Sequence, residues 1–432
     1  MVSASAPDGL ILRVGRCEYR DRVTLTPAAR LSLLSAMRWF PVGLVVPVMV
    51  LLLGARGLPL NKVGQVMALY GVVTLMLELP TGGLADSWGR RPVIVGSAVM
   101  QAAGLLILGL FGSLPAVLVA VAVLGAARAL SSGPLEAWFV DTMHGSGPGV
   151  APAAIEGGLA KGQISESLAL GLGSVMGGLL PRTAPGLPES GGGLIALSVP
   201  FIVASAMAAL FAASAVVLVS RDVERVRTPV GPTVRSALRI ALRHGPVRTV
   251  LVVATCLGVV LSGVELLSPN AFADLLGDPA AASAIYGVLT AAAFAVAALG
   301  AWTSTRIPGR RARAGAAAFL GMAVLAVVVS APSLAVAAMA FLGVYLTIGL
   351  QGPVMAGMLH DRVESGVRAT MMSVESLALQ SGGAIAGLVV GAAAAAAGLL
   401  AGYGVVALAA LIAAVILLRD LRQRATPMSD GM

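Results

Sequence analysis

Glu166-Ser-Leu-Ala-Leu170 returns 209 residues later as Glu375-Ser-Leu-Ala-Leu379. Held in that register, Gly173 matches Gly382, Gly178 matches Gly387 and Leu179 matches Leu388, giving eight identities in fourteen positions without a gap. A second pair, Gly133-Pro134-x-x-Ala137 and Gly352-Pro353-x-x-Ala356, is offset by 219 residues, and the ten-residue difference falls in a longer loop of the first half. One such match arises by chance in an Ala-, Leu- and Gly-rich chain. Two at corresponding places indicate two related halves.

Both motifs lie in long apolar stretches. Of the 432 residues, 58% are hydrophobic and 11% charged, where a soluble domain carries about 25% charged residues. So little polar surface cannot cover a water-soluble core of this size, and the chain belongs in a bilayer. Disorder, nucleic-acid binding and a secreted disulfide scaffold are excluded. Cys17 and Cys256 stand far apart and imply neither a staple nor a zinc site. A membrane helix needs about 20 mostly apolar residues. Twelve candidate spans meet that need: 31–54, 63–82, 92–112, 115–139, 159–181, 194–219, 248–269, 282–303, 314–331, 334–357, 370–392 and 395–418. They lack strict alternation, so they read as helices rather than barrel strands. The polar, Arg-bearing first 30 residues lack a signal peptide's apolar core and cleavage site, so span 1 is expected to act as its own insertion signal.

The basic residues set the orientation. Twenty-four of the 29 Lys and Arg residues fall on the side that holds the termini and every second loop. The other side has Arg56, Lys62 and Arg182, and Arg38 and Arg128 lie inside spans. The positive-inside rule places both termini in the cytoplasm, and the net charge of +9 is mostly this topology signal. The longest polar gap, rich in Arg, divides the spans six and six. The expected organisation is an all-α polytopic protein of two pseudo-symmetric six-helix bundles: residues 1–219 with a cytoplasmic tail, a basic cytoplasmic linker 220–247, and residues 248–432. Parallel repeats about an axis along the membrane normal are a transporter signature, with the binding site between the halves.

After span 2 the sequence runs Glu78-Leu-Pro-Thr-Gly82-Gly-Leu-Ala-Asp86-Ser-Trp-Gly89-Arg90-Arg91. This resembles the loop 2–3 signature of the major facilitator superfamily, G-x-x-x-D-[RK]-x-G-R-[RK]. Gly82, Asp86, Gly89, Arg90 and Arg91 match, and Ser87 departs where a basic residue is usual. The resemblance implies a cytoplasmic charge network that latches the halves together in an outward-open state. Asp86 would face the positive N-terminal end of span 11 near Thr370, and Arg90 would pair with Asp141. The equivalent place in the second half, Gly300 to Arg311, keeps Gly309-Arg310-Arg311 but has no acid at the Asp position, so the latch is expected to be asymmetric.

Charge inside a bilayer is costly and marks function by default. Arg38 lies roughly 10 Å into span 1 at 1.5 Å per residue. It has two candidate partners at similar depth, Glu136 and Glu78, in a permanent pair or one that exchanges with a proton or substrate. Arg128 in span 4 resembles the Arg…Gly motif of proton-coupled family members, with Gly133 one place late; Ser131 and Ser132 can share its polar environment. Glu265 in span 7 is either an outer-gate group or interfacial. Glu166 and Glu375 lie near helix starts, where the dipole favours acids, and suit capping and packing between the halves. Gly173 and Gly177, with Gly383 and Gly387 in the other half, form small-residue stripes that allow close packing and, in use, sliding of one bundle on the other. His144, His244 and His360 all fall at cytoplasmic ends or loops, so a His proton relay is not expected.

The sequence has no metal-ligand spacing, nucleophile triad or phosphate-cradling loop, so neither an enzyme, a cofactor nor a metal is expected. The leading expectation is a secondary active transporter that exports small lipophilic compounds by proton antiport and alternating access. The Gly/Pro-rich span 5, partly similar to that of family antiporters, and the few polar residues of the later spans favour it. Met355, Met358, Met371 and Met372 are candidates for an adaptable apolar lining or for packing. A facilitator or importer of one metabolite on the same fold is the alternative. Expected partners are a small-molecule substrate, protons and the lipid bilayer, with no nucleic acid and a monomer as the working unit. Compact loops and the ratio of 27 Arg to 2 Lys fit a multi-pass protein of a bacterial plasma (inner) membrane.

Overall fold

The computed structural model describes residues 25–145, 151–220, 245–304, 306, 311–360 and 368–425, with the side chains of residues 79, 80 and 82–87 among those left out. Regular structure in the described residues is helical throughout. Eleven helical segments are long and apolar enough to cross a membrane, and the shorter apolar helix Arg313–Val328 supplies the ninth span. The first half contains span 1 (Pro27–Ala55), span 2 (Leu60–Trp88), span 3 (Arg90–Leu110), span 4 (Leu114–Gly145), span 5 (Pro152–Leu179) and span 6 (Val199–Leu218). The second contains span 7 (Gly245–Leu276), span 8 (Pro279–Ser304), span 9 (Arg311–Val328), span 10 (Leu334–His360), span 11 (Arg368–Ala397) and span 12 (Leu399–Ala425). Most of the basic linker, residues 221–244, lies outside the described residues.

Neighbour relations repeat between the halves. Span 1 packs on 5, 2 on 4, and 3 on 6; correspondingly 7 packs on 11, 8 on 10, and 9 on 12. The halves meet along spans 2 and 11 and along spans 5 and 8. The sequence repeat is therefore a repeat of contacts. A Cβ at Gly43 would lie 2.5 Å from the Leu170 carbonyl oxygen, and one at Gly258 would lie 1.9 Å from that of Leu379. Leu170 and Leu379 are the closing residues of the repeated pentapeptide. Gly173 meets the Phe40 carbonyl and Gly382 that of Thr255 in the same way. Without hydrophobic drive between helices in lipid, such backbone approach supplies van der Waals contact that side chains would prevent.

Across the halves, a Cβ at Gly64 would fall 1.9 Å from the Gly387 carbonyl oxygen, and one at Gly178 would fall 2.3 Å from that of Ser283. These contacts lie toward the Arg-poor ends of spans 2, 5, 8 and 11. The halves are thus pressed together, backbone to backbone, on the Arg-poor side.

Span 4 is broken where a continuous helix was expected. Its first piece ends at Ser131, and the second starts at Pro134. Gly133 between them has φ +92°, a left-handed conformation that costs an L side chain about 1–2 kcal/mol and that glycine adopts freely. Pro134 cannot donate to a continuing helix. The same Gly-Pro pair in span 10 is absorbed: Leu334–His360 runs through with Pro353 inside.

Candidate functional site: the cavity between the halves

A cavity of about 530 Å³ lies between the halves, lined by spans 1 to 4 and 6 on one side and by spans 7, 8 and 11 on the other. A second space of about 280 Å³ adjoins it, sharing Arg38, Thr74, Arg128, Ser376 and Gln380 and adding Glu78, Ser132, Gly133 and Glu136. The larger wall is mostly apolar, with Val45, Met49, Met67, Leu105, Leu124 and Leu261 among its members.

The break in span 4 arranges the charges. Arg128 falls in the last turn of the first piece and Glu136 in the first turn of the second. A helix C-terminus favours a cation and an N-terminus an anion, so one interruption stabilises both inside the bilayer. Arg38, 8% exposed, donates through a guanidinium N–H to Glu136 Oε1 at 3.1 Å. Glu136 Oε2 is buried with no hydrogen-bond partner among the described residues. Trp39 lies between the two arginines: its ring centroid is 5.3 Å from the Arg38 guanidinium carbon and 4.9 Å from that of Arg128, within cation–π range. Its buried indole Nε1 is turned toward the Glu166 carboxylate of span 5, outside ideal hydrogen-bond geometry.

Of the two partners open to Arg38, the structure selects Glu136. Glu78 serves elsewhere: its Oε2 accepts from Gln380 Nε2 of the other half at 2.6 Å, and its Oε1 accepts from the Ser132 hydroxyl at 3.3 Å. Ser131 donates instead to the Arg128 carbonyl at 2.9 Å. Glu265 borders the larger cavity from span 7, and its Oε1 accepts from the Tyr345 hydroxyl at 3.2 Å. Tyr345 belongs to a buried ring cluster with Phe341, Tyr286 and Phe272.

Glu166 of span 5 is within electrostatic reach of Arg38 and Arg128 but does not line the cavity, and neither does Glu375. Gly173 and Gly177 pack inside the first half, Gly177 against the Leu44 backbone; the span-5 glycine that meets the other half is Gly178. Gly383 faces Ser262 of its own half, and Gly387 faces Gly64 across the divide. Met355, Met358 and Met371 are core residues away from the cavity, and the side chain of Met372 lies outside the described residues; among the described residues the lining methionines are Met49 and Met67.

In the loop 2–3 motif, Gly89 caps span 3 with φ +95°, which lets two helices join through one residue. Arg90 Nε donates to Asp141 Oδ2 at 3.3 Å. Arg91 donates to the Val216 carbonyl at the end of span 6. The side chains of Gly82 to Ser87, Asp86 included, and residues 307–310 lie outside the described residues; Arg306 stacks 3.6 Å from the Trp302 ring centroid.

Two quasi-equivalent helical bundles with a cavity between them, walled by both, define a carrier of small molecules. The chain belongs to the Major Facilitator Superfamily, whose profile matches residues 31–374. No curated protein matches it in sequence. Solved structures of similar fold include the nucleoside transporter NupG (TM-score 0.74, 12% identity, covering 92% of this chain and 100% of that one). A bacterial homolog of the human lysosomal transporter Spinster, in an inward-facing and occupied conformation, gives a TM-score of 0.72 at 14% identity, covering 91% and 96%. The peptide transporter POT in complex with sulfate gives 0.69 at 17%, covering 92% and 94%. At these identities the likeness is one of fold.

Proposed function

We propose that the protein is a proton-coupled secondary transporter that moves a small, mostly apolar compound by alternating access, in the export direction, across a bacterial plasma membrane as a monomer. The observation that carries this reading is the pair of acids at the cavity's charged end. Glu136 ties Arg38 within one half, and Glu78 holds Gln380 across the two. Each acid gives up its bond to a cation or donor if a proton arrives. Protonation of Glu78 therefore changes the free energy of this arrangement of the halves relative to the other, which is what coupling requires, and protonation of Glu136 frees Arg38 at the cavity. The close backbone contacts on the Arg-poor side make this conformation the one closed to the outside. The contact of Asp86 with span 11 that the motif implies belongs to the opposite, outward-open form, whereas the Arg90–Asp141 pair lies within the first half and is made in this one as well. Export rests on the sequence features of span 5 and the apolar wall; uptake of one metabolite is the competing direction.

Proteoliposomes with an internal pH dye test this reading. Substrate-triggered proton movement that Glu136→Gln or Asp86→Asn abolishes is the expected result. Substrate movement without proton movement overturns the coupling.

A further inference from the structure

We propose that the cavity is a bipolar site for an amphoteric molecule, one with a carboxylate and an amine at opposite ends of an apolar body. This rests on the transporter reading above and names its substrate class.

The charges of the larger cavity are segregated by half. Among its lining residues, both cations, Arg38 and Arg128, come from the first half, and the one acid, Glu265, comes from the second. Arg38 is answered by Glu136. The Arg128 guanidinium makes no hydrogen bond or ion pair with any described residue; Glu166 acts on it only at longer range. Beside it lies Trp39, its ring within cation–π range of Arg128 and its indole N–H turned toward the Glu166 carboxylate. The unpaired Arg128 fork is a site for a carboxylate, whose two oxygens it can take side by side. Across the cavity, Glu265 uses Oε1 for Tyr345, and Oε2 has no partner among the described residues. The rest of the lining is mostly apolar, aliphatic and aromatic, with a few neutral polar side chains such as Gln101 and Ser262.

A neutral lipophile would desolvate Arg128 and Glu265 and replace neither's water, which opposes its binding. A plain cation would satisfy Glu265 and leave Arg128 bare, and a plain anion would do the reverse. A molecule with both groups satisfies both poles. Because the poles belong to different halves, such a ligand ties the halves together, so its affinity depends on how far apart they stand.

The test uses the purified full-length protein and three ligands sharing an eight-carbon chain: 8-aminooctanoic acid, octanoic acid and octylamine, with ω-amino acids of four to twelve carbons as a length series. Binding is read by calorimetry or by the shift in unfolding temperature. The expected result is an amphoteric ligand of one preferred length that binds at least about tenfold more tightly than either single-ended analogue, the factor for one added charge-assisted bond. Arg128→Gln should reduce it to the affinity of the amine alone, and Glu265→Gln to that of the acid alone. Equal binding of all three ligands by the unmutated protein overturns the proposal, whatever the variants do. So does a variant that weakens all three equally. Counterflow into proteoliposomes separates the two readings. The bipolar pattern without exchange sinks transport and keeps the site, whereas exchange of octylamine or octanoate but not of any amino acid keeps transport and sinks the site.

Discussion

Glu136 accepts from Arg38 through one oxygen, at 3.1 Å, and keeps the other buried with no partner among the described residues. A carboxylate held by one bond is poised to exchange it. Glu136→Gln retains an acceptor and should lower stability by about 1 kcal/mol, whereas Glu136→Ala strands the buried Arg38 cation and should cost about 2 kcal/mol or more. Thermal unfolding in detergent measures both. Proton-coupled transport should be lost in both, although the glutamine variant remains folded.

The glycines of spans 2 and 5 divide by role. Gly64→Ala puts a methyl 1.9 Å from the Gly387 carbonyl oxygen, between the halves; Gly177→Ala does the same to Leu44, within one half. Both substitutions overpack by an amount worth about 1–3 kcal/mol, but the first can relieve it by parting the halves and the second cannot. Gly64→Ala should therefore lengthen the distance between spin labels at Lys62→Cys and Ala392→Cys, in a Cys17→Ser/Cys256→Ala background, with little change in unfolding temperature. Gly177→Ala should lower the unfolding temperature and leave that distance alone.

Two glycines that match in the repeat should respond oppositely to alanine. Gly133 has φ +92°, so Gly133→Ala strains the break in span 4 by about 1–2 kcal/mol and shifts Glu136 relative to Arg38. Gly352 sits inside a helix with open space at its Cβ position, so Gly352→Ala should stabilise by about 0.5–1 kcal/mol. Unfolding temperatures of the pair, compared in one detergent, check the sign of each.

Arg90 and Asp141 form a pair with side chains 22% and 59% exposed. Exposed pairs contribute under about 1 kcal/mol and weaken with salt. Asp141→Asn should leave the unfolding temperature unchanged and alter the transport rate, and raised ionic strength should reduce the difference from the unmutated protein.

Arg56 clasps the end of span 3, donating to the Leu108 and Gly109 carbonyls at 2.5 and 2.8 Å and to the Ser198 hydroxyl at 3.3 Å. Those carbonyls have no partner further along their own helix. Arg56→Lys offers a point charge in place of a fork and should cost about 1–2 kcal/mol in thermal unfolding, with Arg56→Ala costing more.

The bundle architecture was legible because lipid imposes it: span length, charge asymmetry and repeat each have one physical cause. Arg90 with Asp141 was legible from the motif, and Arg38 was narrowed to two acids by depth alone. What separated Glu136 from Glu78 was the partner on span 11, Gln380, and a contact across 302 residues leaves no local trace. The break in span 4 had its signal in Gly133-Pro134, but the identical pair in span 10 does not break, so the dipeptide permits an interruption and the neighbours decide. Trp39 carried no signal at all; it reads as one more apolar residue until the two arginines are seen on either side of it. The glycine stripes gave small residues their places but not their facing, because a rotation of one position along the helix separates Gly177, turned inward, from Gly178, turned outward.

The contact of Gly64 with Gly387 has a kinetic consequence. A seal made of main-chain atoms contains no side-chain rotamers to freeze when it closes or release when it opens. Its two faces match at every encounter, and no searching among conformers delays their meeting. In the proposed proton-coupled cycle, the time taken by each turnover would then be set at the other end of the molecule, where the carboxylates exchange partners.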